Sequence, residues 1–447
     1  MEPRELLDIL HLAERLKDTT RHCYTSKGRR ESVAEHSWRA ALTAYFLKDA
    51  FPEADMGRVI QMCLIHDLGE AFTGDIPAFD KTKADEEKEE SLLKDWVRSL
   101  PAPFAGEMAA LYAEMERLET VEAKIYKAID GLEAVVQHNE SDLSTWIDRE
   151  YHMNLTYAED KVAFSPALQA LRRAIREDTE QKILEGRMNS INDFVARLTT
   201  PYKDIFTTVY LVKTAQGALL FDAASYDADA EKYLLPFLSA QGITQDDLKY
   251  IFISHPHSDH AGGLKGLLRY FPKAQVLCGS ASIEKIHPGI PYRVIKEGEK
   301  VLGNLQAVAV PGHTQDSMAL LDERTRTLIS GDGLQLFGIY GSGKWGANIS
   351  YPKAYLQAIR KLRGMEIEQI LTAHDYHPLG YRYDGKEQVN KALDACWAPL
   401  ERIAALIEAQ PEAADAEICR LYHAGELLPT LGEHVAAAVR KMLGENK

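Results

Sequence analysis

Near Thr200 the hydrophobic rhythm of this chain changes, and no single simple fold accommodates both sides of that change. Upstream, apolar residues recur at helical spacing. Glu5–Leu16, Ser37–Phe51, Arg58–His66, Glu86–Leu100 and Glu107–Gln137 each predict helix. Gly and Pro fall between these stretches, as in Thr73-Gly74-Asp75-Ile76-Pro77 and Pro101-Ala102-Pro103. Downstream, short β-rich runs take over. Thr208–Val212 and Ala218–Phe221 flank Gln216-Gly217 as a hairpin. Tyr250–Ser254, Gln275–Cys278, Gln306–Val310, Ser317–Leu321, Thr327–Ser330 and Glu368–Leu371 read as further strands, with helices between several of them. Layered sheets with outer helices are the expectation there. From Gly385 the pattern is helical again, over Glu387–Ala409, Asp415–Tyr422 and His434–Leu443. The chain thus divides into an all-α region at 1–187, a linker at 188–199, a mixed region at 200–384 and a helical extension at 385–447. Its 447 residues suffice for two or three domains.

Composition narrows the function classes. Lys and Arg total 52 against 67 Asp and Glu, a formal charge of −15. That balance argues against a general binder of nucleic acid or anionic membrane, which needs a basic face. It leaves small anionic substrates open, because a bound metal reverses the local sign. The five Cys are odd in number and form no C-x-x-C pair, so neither a disulfide framework nor a thiolate zinc site is expected. The first residues lack an apolar signal core, and no window approaches a membrane span. A soluble cytoplasmic protein is the expectation.

The most specific motif is Ser254-His255-Pro256-His257-Ser258-Asp259-His260-Ala261-Gly262-Gly263, directly after a predicted strand. Three imidazoles and a carboxylate within six residues suit zinc and other first-row metals. His313, Asp332 and His374 follow in Pro311-Gly312-His313-Thr314, Ser330-Gly331-Asp332 and Thr372-Ala373-His374, each after a β-run. The ordered set resembles the metallo-β-lactamase superfamily over roughly Thr200 to Asp384, and so implies an αβ/βα sandwich. The resemblance implies that His255, His257 and His313 bind one metal, that Asp259, His260 and His374 bind a second, and that Asp332 bridges them. Two zinc ions, or iron or manganese, would generate a metal-bound hydroxide, with Asp259 also accepting a proton. The substrate class stays open among esters, thioesters, lactones and phosphoesters. His377 reads as a neighbour of the site and His287 as a surface residue.

A second ordered set lies upstream. His36 sits in Glu35-His36-Ser37, His66-Asp67 ends an apolar helix and runs into Glu70 and Thr73-Gly74-Asp75-Ile76-Pro77, and Asp130 lies on a long helix. Facing helices can bring such residues to one cation. H…HD…D on a helical pattern resembles the HD-domain phosphohydrolases, with wording like that of the bacterial 5′-deoxynucleotidases. That resemblance implies an all-α bundle holding one divalent metal (Mn, Co, Mg, Fe or Zn) on His36, His66, Asp67 and Asp130. It also implies Glu70 beside the attacking water, Asp75 near the sugar oxygen and Arg21 on the phosphate. Those enzymes carry Trp after that Arg; here the residue is His22, which leaves selection near the sugar or base open.

Taken together, these features predict a bifunctional metal-dependent hydrolase acting on small molecules, with a nucleoside monophosphate at the upstream site and neither nucleic acid nor membrane as partner. The alternative is that one region, the HD region first, senses a ligand and regulates the other. The helical tail either covers the second site or supports a homo-oligomer.

Overall fold

The computed structural model describes residues 1–77, 79–336, 338–339, 346–377, 380–424 and 431–445, the side chains of 148, 338, 339 and 377 excepted. It separates into two compact units, Met1–Gly186 and Arg187–Lys447. No described helix is long and apolar enough to cross a membrane. All five cysteines are free and buried.

The first unit is built around the helix Val121–Glu140, whose Ile125, Ala128, Ile129, Leu132 and Val135 are buried in one core. Ala40, Ala41 and Ala44 of helix Val33–Phe46, Val59, Met62 and Cys63 of helix Met56–Ile65, and Leu168 and Ile175 of helix Pro166–Gly186 join it, with Val97, Leu111, Tyr112 and Met115. Small residues let helices approach closely: a Cβ on Gly131 would lie 2.8 Å from the Ala158 Cβ.

Two expectations need correction here. The run Glu107–Gln137 is not one helix but two, Phe104–Arg117 and Val121–Glu140. Leu118 turns left-handed at φ 53°, and Thr120 caps the second helix by accepting the Ala123 N–H at 3.2 Å. The unit is also not purely α. Thr20–Tyr24 and Arg30–Ser32 form an antiparallel hairpin that carries Arg21 and His22. It is too short, and too polar, to show a period-2 pattern.

In the second unit two seven-stranded sheets pack face to face. The first runs in chain order: Met188–Ser190, Val195–Tyr202, Ile205–Thr214, Gly217–Phe221, Leu248–Ile253, Gln275–Cys278 and Tyr292–Val294. Residues 188–199 are therefore not a linker; they supply the opening strand and most of the next. Asn189, Ser190 and Asn192 disguise this, because the opening strand is an exposed edge. The Asn192 side chain accepts the N–H groups of Phe194 and Val195, both at 2.9 Å, and shapes the turn.

The second sheet contains Lys300–Val301, Leu305–Ala309, Met318–Asp322, Thr327–Ile329 and Gln369–His377, with Gly338–Ile339 and Gly380–Asp384 both paired to the last of these. Side-chain alternation divides it between two cores. Leu305, Ala307, Met318, Leu320, Ile329 and Leu371 meet Val195, Tyr210, Leu219, Phe221 and Phe252 of the first sheet. Val308, Ala319, Leu321, Leu328 and Ile370 face outward, onto the helices Pro352–Arg363, Gly385–Ala409, Asp415–Tyr422 and Glu433–Glu445. The tail is thus no appendage: Leu393, Leu400, Ile403, Ile418, Val435 and Val439 belong to this outer core.

Candidate metal centres

In the first unit, helix Val33–Phe46 begins at Ser32, whose hydroxyl accepts the Glu35 N–H while the Glu35 carboxylate returns to the Ser32 N–H. This capping box sets His36 one turn in, fully buried. His66 and Asp67 follow helix Met56–Ile65, and Asp130 projects from helix Val121–Glu140. Four atoms converge. His36 Nε2 lies 3.2 Å from His66 Nε2 and 3.2 Å from Asp130 Oδ1. His66 Nε2 lies 3.1 Å from Asp67 Oδ2 and 3.5 Å from Asp130 Oδ1. Both rings are fixed from behind: His66 Nδ1 donates to the Cys63 carbonyl at 2.8 Å, and His36 Nδ1 donates to Glu133. With Nδ1 protonated, each Nε2 presents a lone pair to the centre. Two bare imidazole nitrogens and two carboxylate oxygens at this spacing fit a divalent cation.

A cavity of about 290 Å³ opens over this cluster, lined by Arg21, Asp67, Glu70, Asp75, Lys127 and Asp130 among others. Arg21 is held by Glu31 at 3.2 Å and Glu133 at 3.4 Å. Burial, then the charges of Asp67, Asp75 and Glu89, push the Glu70 carboxyl up to about 10. Burial likewise raises Asp75. A cation among these acids would relieve that repulsion. The residues expected at this site therefore meet at one cavity: Arg21, Asp67, Glu70, Asp75 and Asp130 line it, and His36 and His66 touch its acids from below.

In the second unit the strand Leu248–Ile253 delivers His255 and His257, and the turn Ser258–Ala261 delivers Asp259 and His260. Gly262 and Gly263 let this turn approach the neighbouring backbone: a Cβ on Gly262 would lie 1.9 Å from the Ser225 carbonyl oxygen. His313 follows Leu305–Ala309, and Asp332 follows Thr327–Ile329. His374 lies not past a strand end but within Gln369–His377, where the register shifts between Leu371 and Tyr376.

Two ligand groups form. His257 Nδ1 is 3.0 Å from His255 Nε2 and 2.8 Å from His313 Nε2, and Asp332 Oδ2 is 3.4 Å from His313 Nε2. On the other side, His260 Nε2 is 3.3 Å from Asp259 Oδ2 and 3.5 Å from Asp332 Oδ1, and His374 Nε2 is 3.2 Å from Asp332 Oδ1. Asp332 turns one oxygen to each group. His260 Nε2 and Asp332 Oδ1 are buried without a hydrogen-bond partner, an arrangement that costs stability unless a ligand occupies the centre. Burial alone would raise the Asp332 carboxyl; His374 and His260 outweigh it and hold it well below the usual carboxylate range. This donor set fits two cations.

The supports behind these rings are residues that motif reading missed. His260 Nδ1 donates to Asp222 Oδ2 at 2.8 Å, and His255 Nδ1 donates to Ser254 Oγ at 3.0 Å. His313 Nδ1 donates to the Asn348 carbonyl at 2.7 Å, and His374 Nδ1 to the Phe206 carbonyl at 2.9 Å. His434, from the final helix, meets the Asn348 side chain at 2.7 Å. His287, expected as a surface residue, instead donates to the Ala261 carbonyl at 2.7 Å and braces the motif turn. The side chain of His377 lies outside the described residues. In the first unit the missed support is Glu133, three residues after Asp130 and on the same helix face, which was the available signal.

Comparison with known proteins gives two separate matches. Residues 13–172 match the HD domain family and residues 202–374 the metallo-beta-lactamase superfamily. The chain is 33% identical over 141 residues to human 5′-deoxynucleotidase HDDC2, covering 31% of this chain and 68% of that protein. It is 30% identical over 162 residues to the atrochrysone carboxyl ACP thioesterase of Aspergillus fumigatus, covering 36% of this chain and 47% of that protein. The chain therefore spans about half the length of that relative. Among solved structures, a metallo-beta-lactamase family protein of Thermus thermophilus aligns at 19% identity with a TM-score of 0.43, over 57% of this chain and 95% of that one.

Proposed function

The chain belongs to the HD-domain family through its first unit and to the metallo-beta-lactamase superfamily through its second, and from that premise we propose two separate hydrolytic centres. It is a metal-dependent hydrolase. The first centre removes phosphate from nucleoside 5′-monophosphates, deoxyribonucleotides included. One observation carries this reading: the carboxylates of a bare two-imidazole, two-carboxylate cluster share a cavity with a half-buried arginine. His36, His66, Asp67 and Asp130 would hold the cation, which when bound would acidify water and screen phosphoryl charge. Arg21 offers planar, charge-assisted contacts to phosphate oxygens, and its pairing with Glu31 and Glu133 fixes its direction. Glu70, kept protonated by its surroundings until positive charge arrives, exchanges a proton with the attacking water. Asp75 lines the same cavity, where it would serve the leaving sugar oxygen.

At the second centre His255, His257 and His313 would hold one cation and Asp259, His260 and His374 the other, with Asp332 offering one oxygen to each group. The cavity there is about 240 Å³ and is lined by Tyr202, Lys203, Ser258, Gln335 and Asn348 beside the ligand residues. Asp259 faces this cavity and serves as proton acceptor. The reaction is hydrolysis of an ester-like bond, and the relative named as a thioesterase makes thioesters the first class to assay.

The test is phosphate release from ribo- and deoxyribonucleoside monophosphates with added Mn, Co or Zn, for the intact chain, Asp67→Ala and Asp259→Ala. Release lost in Asp67→Ala and kept in Asp259→Ala is expected. Release lost only in Asp259→Ala moves the nucleotide chemistry to the second unit, and no release from any nucleotide sinks the first assignment.

A further inference from the structure

A third group of metal-ligating side chains lies in the first unit, apart from the residues given roles above. His22 comes from the hairpin strand Thr20–Tyr24, His138 from helix Val121–Glu140 and Glu150 from helix Asp148–Thr156. A hairpin strand and two helices more than a hundred residues downstream bring their polar tips together. Glu150 Oε1 lies 3.3 Å from His22 Nε2 and 3.7 Å from His138 Nε2, and the two rings stand 5.2 Å apart.

Three observations separate this group from an ordinary buried ion pair. Glu150 is oriented before any ligand arrives, because its Oε2 accepts the Ile147 N–H at 2.8 Å and leaves Oε1 turned to the imidazoles. Glu150 is 2% and His138 4% exposed, so a charged imidazole there is disfavoured and a neutral ring with a lone pair is favoured. His22 Nε2, although close to the carboxylate, is buried with no hydrogen-bond partner, and Asn154 Nδ2 nearby is in the same state. An unsatisfied imidazole nitrogen beside a carboxylate oxygen is what His260 of the second unit also displays. His22, His138 and Asn154 line the same cavity as Asp67 and Asp130, so an ion has a route in and open coordination positions face the cavity.

We propose that His22, His138 and Glu150 form an additional binding site for a divalent first-row cation on the wall of the first unit's cavity. Two neutral imidazoles and one carboxylate carry a net charge of about −1 and suit zinc, cobalt, nickel, manganese or iron. Arg21, the next residue to His22, does not cancel that charge, since Glu31 and Glu133 already neutralise it. A cation here adds positive charge to a cavity whose other wall holds Asp67, Glu70, Asp75 and Asp130. The site stands whether or not nucleotides are the substrates.

Equilibrium dialysis of the metal-stripped, full-length chain against Co²⁺, with the bound metal counted by mass spectrometry, tests the proposal. Glu150→Gln and His22→Ala are each expected to bind one cobalt fewer per chain than wild type. In an Asp67→Asn background, Glu150→Gln is expected to remove a further equivalent. Unchanged counts in both single variants overturn the site. Should Glu150→Gln lose its helical circular dichroism through the broken helix cap, the His22→Ala count decides, because His22 caps nothing.

Discussion

Asp222 is the residue at which the second centre is most open to a single-atom test. It is fully buried and accepts three hydrogen bonds: from the Ser254 N–H at 2.8 Å, the Ser254 hydroxyl at 3.0 Å and His260 Nδ1 at 2.8 Å. Asp222→Asn keeps the shape but replaces one acceptor oxygen with an NH₂ group. If the remaining oxygen keeps the Ser254 N–H, the NH₂ faces His260 Nδ1. Two donors then oppose each other, and His260 must move its proton to Nε2. That nitrogen is the one lying 3.3 Å from Asp259 and 3.5 Å from Asp332, so the lone pair aimed at the second cation is lost. Loss of such a support typically weakens metal binding by about 10–100-fold, or roughly 1.4–2.8 kcal/mol. The assay is a Zn²⁺ competition titration of the full chain with a chromophoric chelator. One zinc equivalent is expected to weaken by that factor, while phosphate release by the first unit stays at the wild-type rate. Wild-type affinity for every equivalent would refute the claim that Asp222 sets the His260 tautomer.

Three other predictions concern the first unit and the thiols. Glu133→Gln removes the anchor of His36 and the counter-charge of Arg21 and Arg39; metal content of the first centre and phosphate release are expected to fall together by about 10–100-fold, and a drop in release with full metal content would contradict it. Burial pushes the Cys278 thiol up to about 11 and the Cys396 thiol up to about 12, from an ordinary 9.0. Being raised in the folded chain, these groups contribute stability that is intact below pH 9 and is lost as pH climbs toward 11–12. Thermal midpoints are therefore expected to fall over that window, and iodoacetamide is expected to leave the thiols unlabelled at pH 7 until denaturant is added.

The ligand residues were legible because their chemistry is local. His255 to His260 sit within six residues, and the later ligands each follow an apolar run that reads as a strand. What stands behind the ligands was not legible. Asp222 meets His260 across thirty-eight positions, and Phe206 offers only a backbone carbonyl to His374. A main-chain acceptor has no sequence signature at all. The strand at 188–190 was hidden for a different reason: it is the edge of its sheet, and an edge strand carries polar residues because one side has no neighbour. The break at Leu118 depends on a left-handed turn in a residue that favours helix, which local propensity does not reveal. The tail was correctly helical, but helical period alone does not say that Leu393 and Val435 share a core with Leu328.

That shared core gives the two units different histories during synthesis. The first unit has every helix it needs once residue 186 leaves the ribosome. The outer face of the second sheet does not, for the strand Gln369–His377 emerges well before the closing helix Glu433–Glu445. At a translation rate of about 5–20 residues per second, those sixty-eight residues take roughly 3–14 s. Through that interval the outer face carrying Val308, Leu321, Leu328 and Ile370 already has helix Pro352–Arg363 to pack on but still lacks Val435, Ala436 and Val439, so part of this apolar surface stays open to chaperones and to neighbouring chains on the same message.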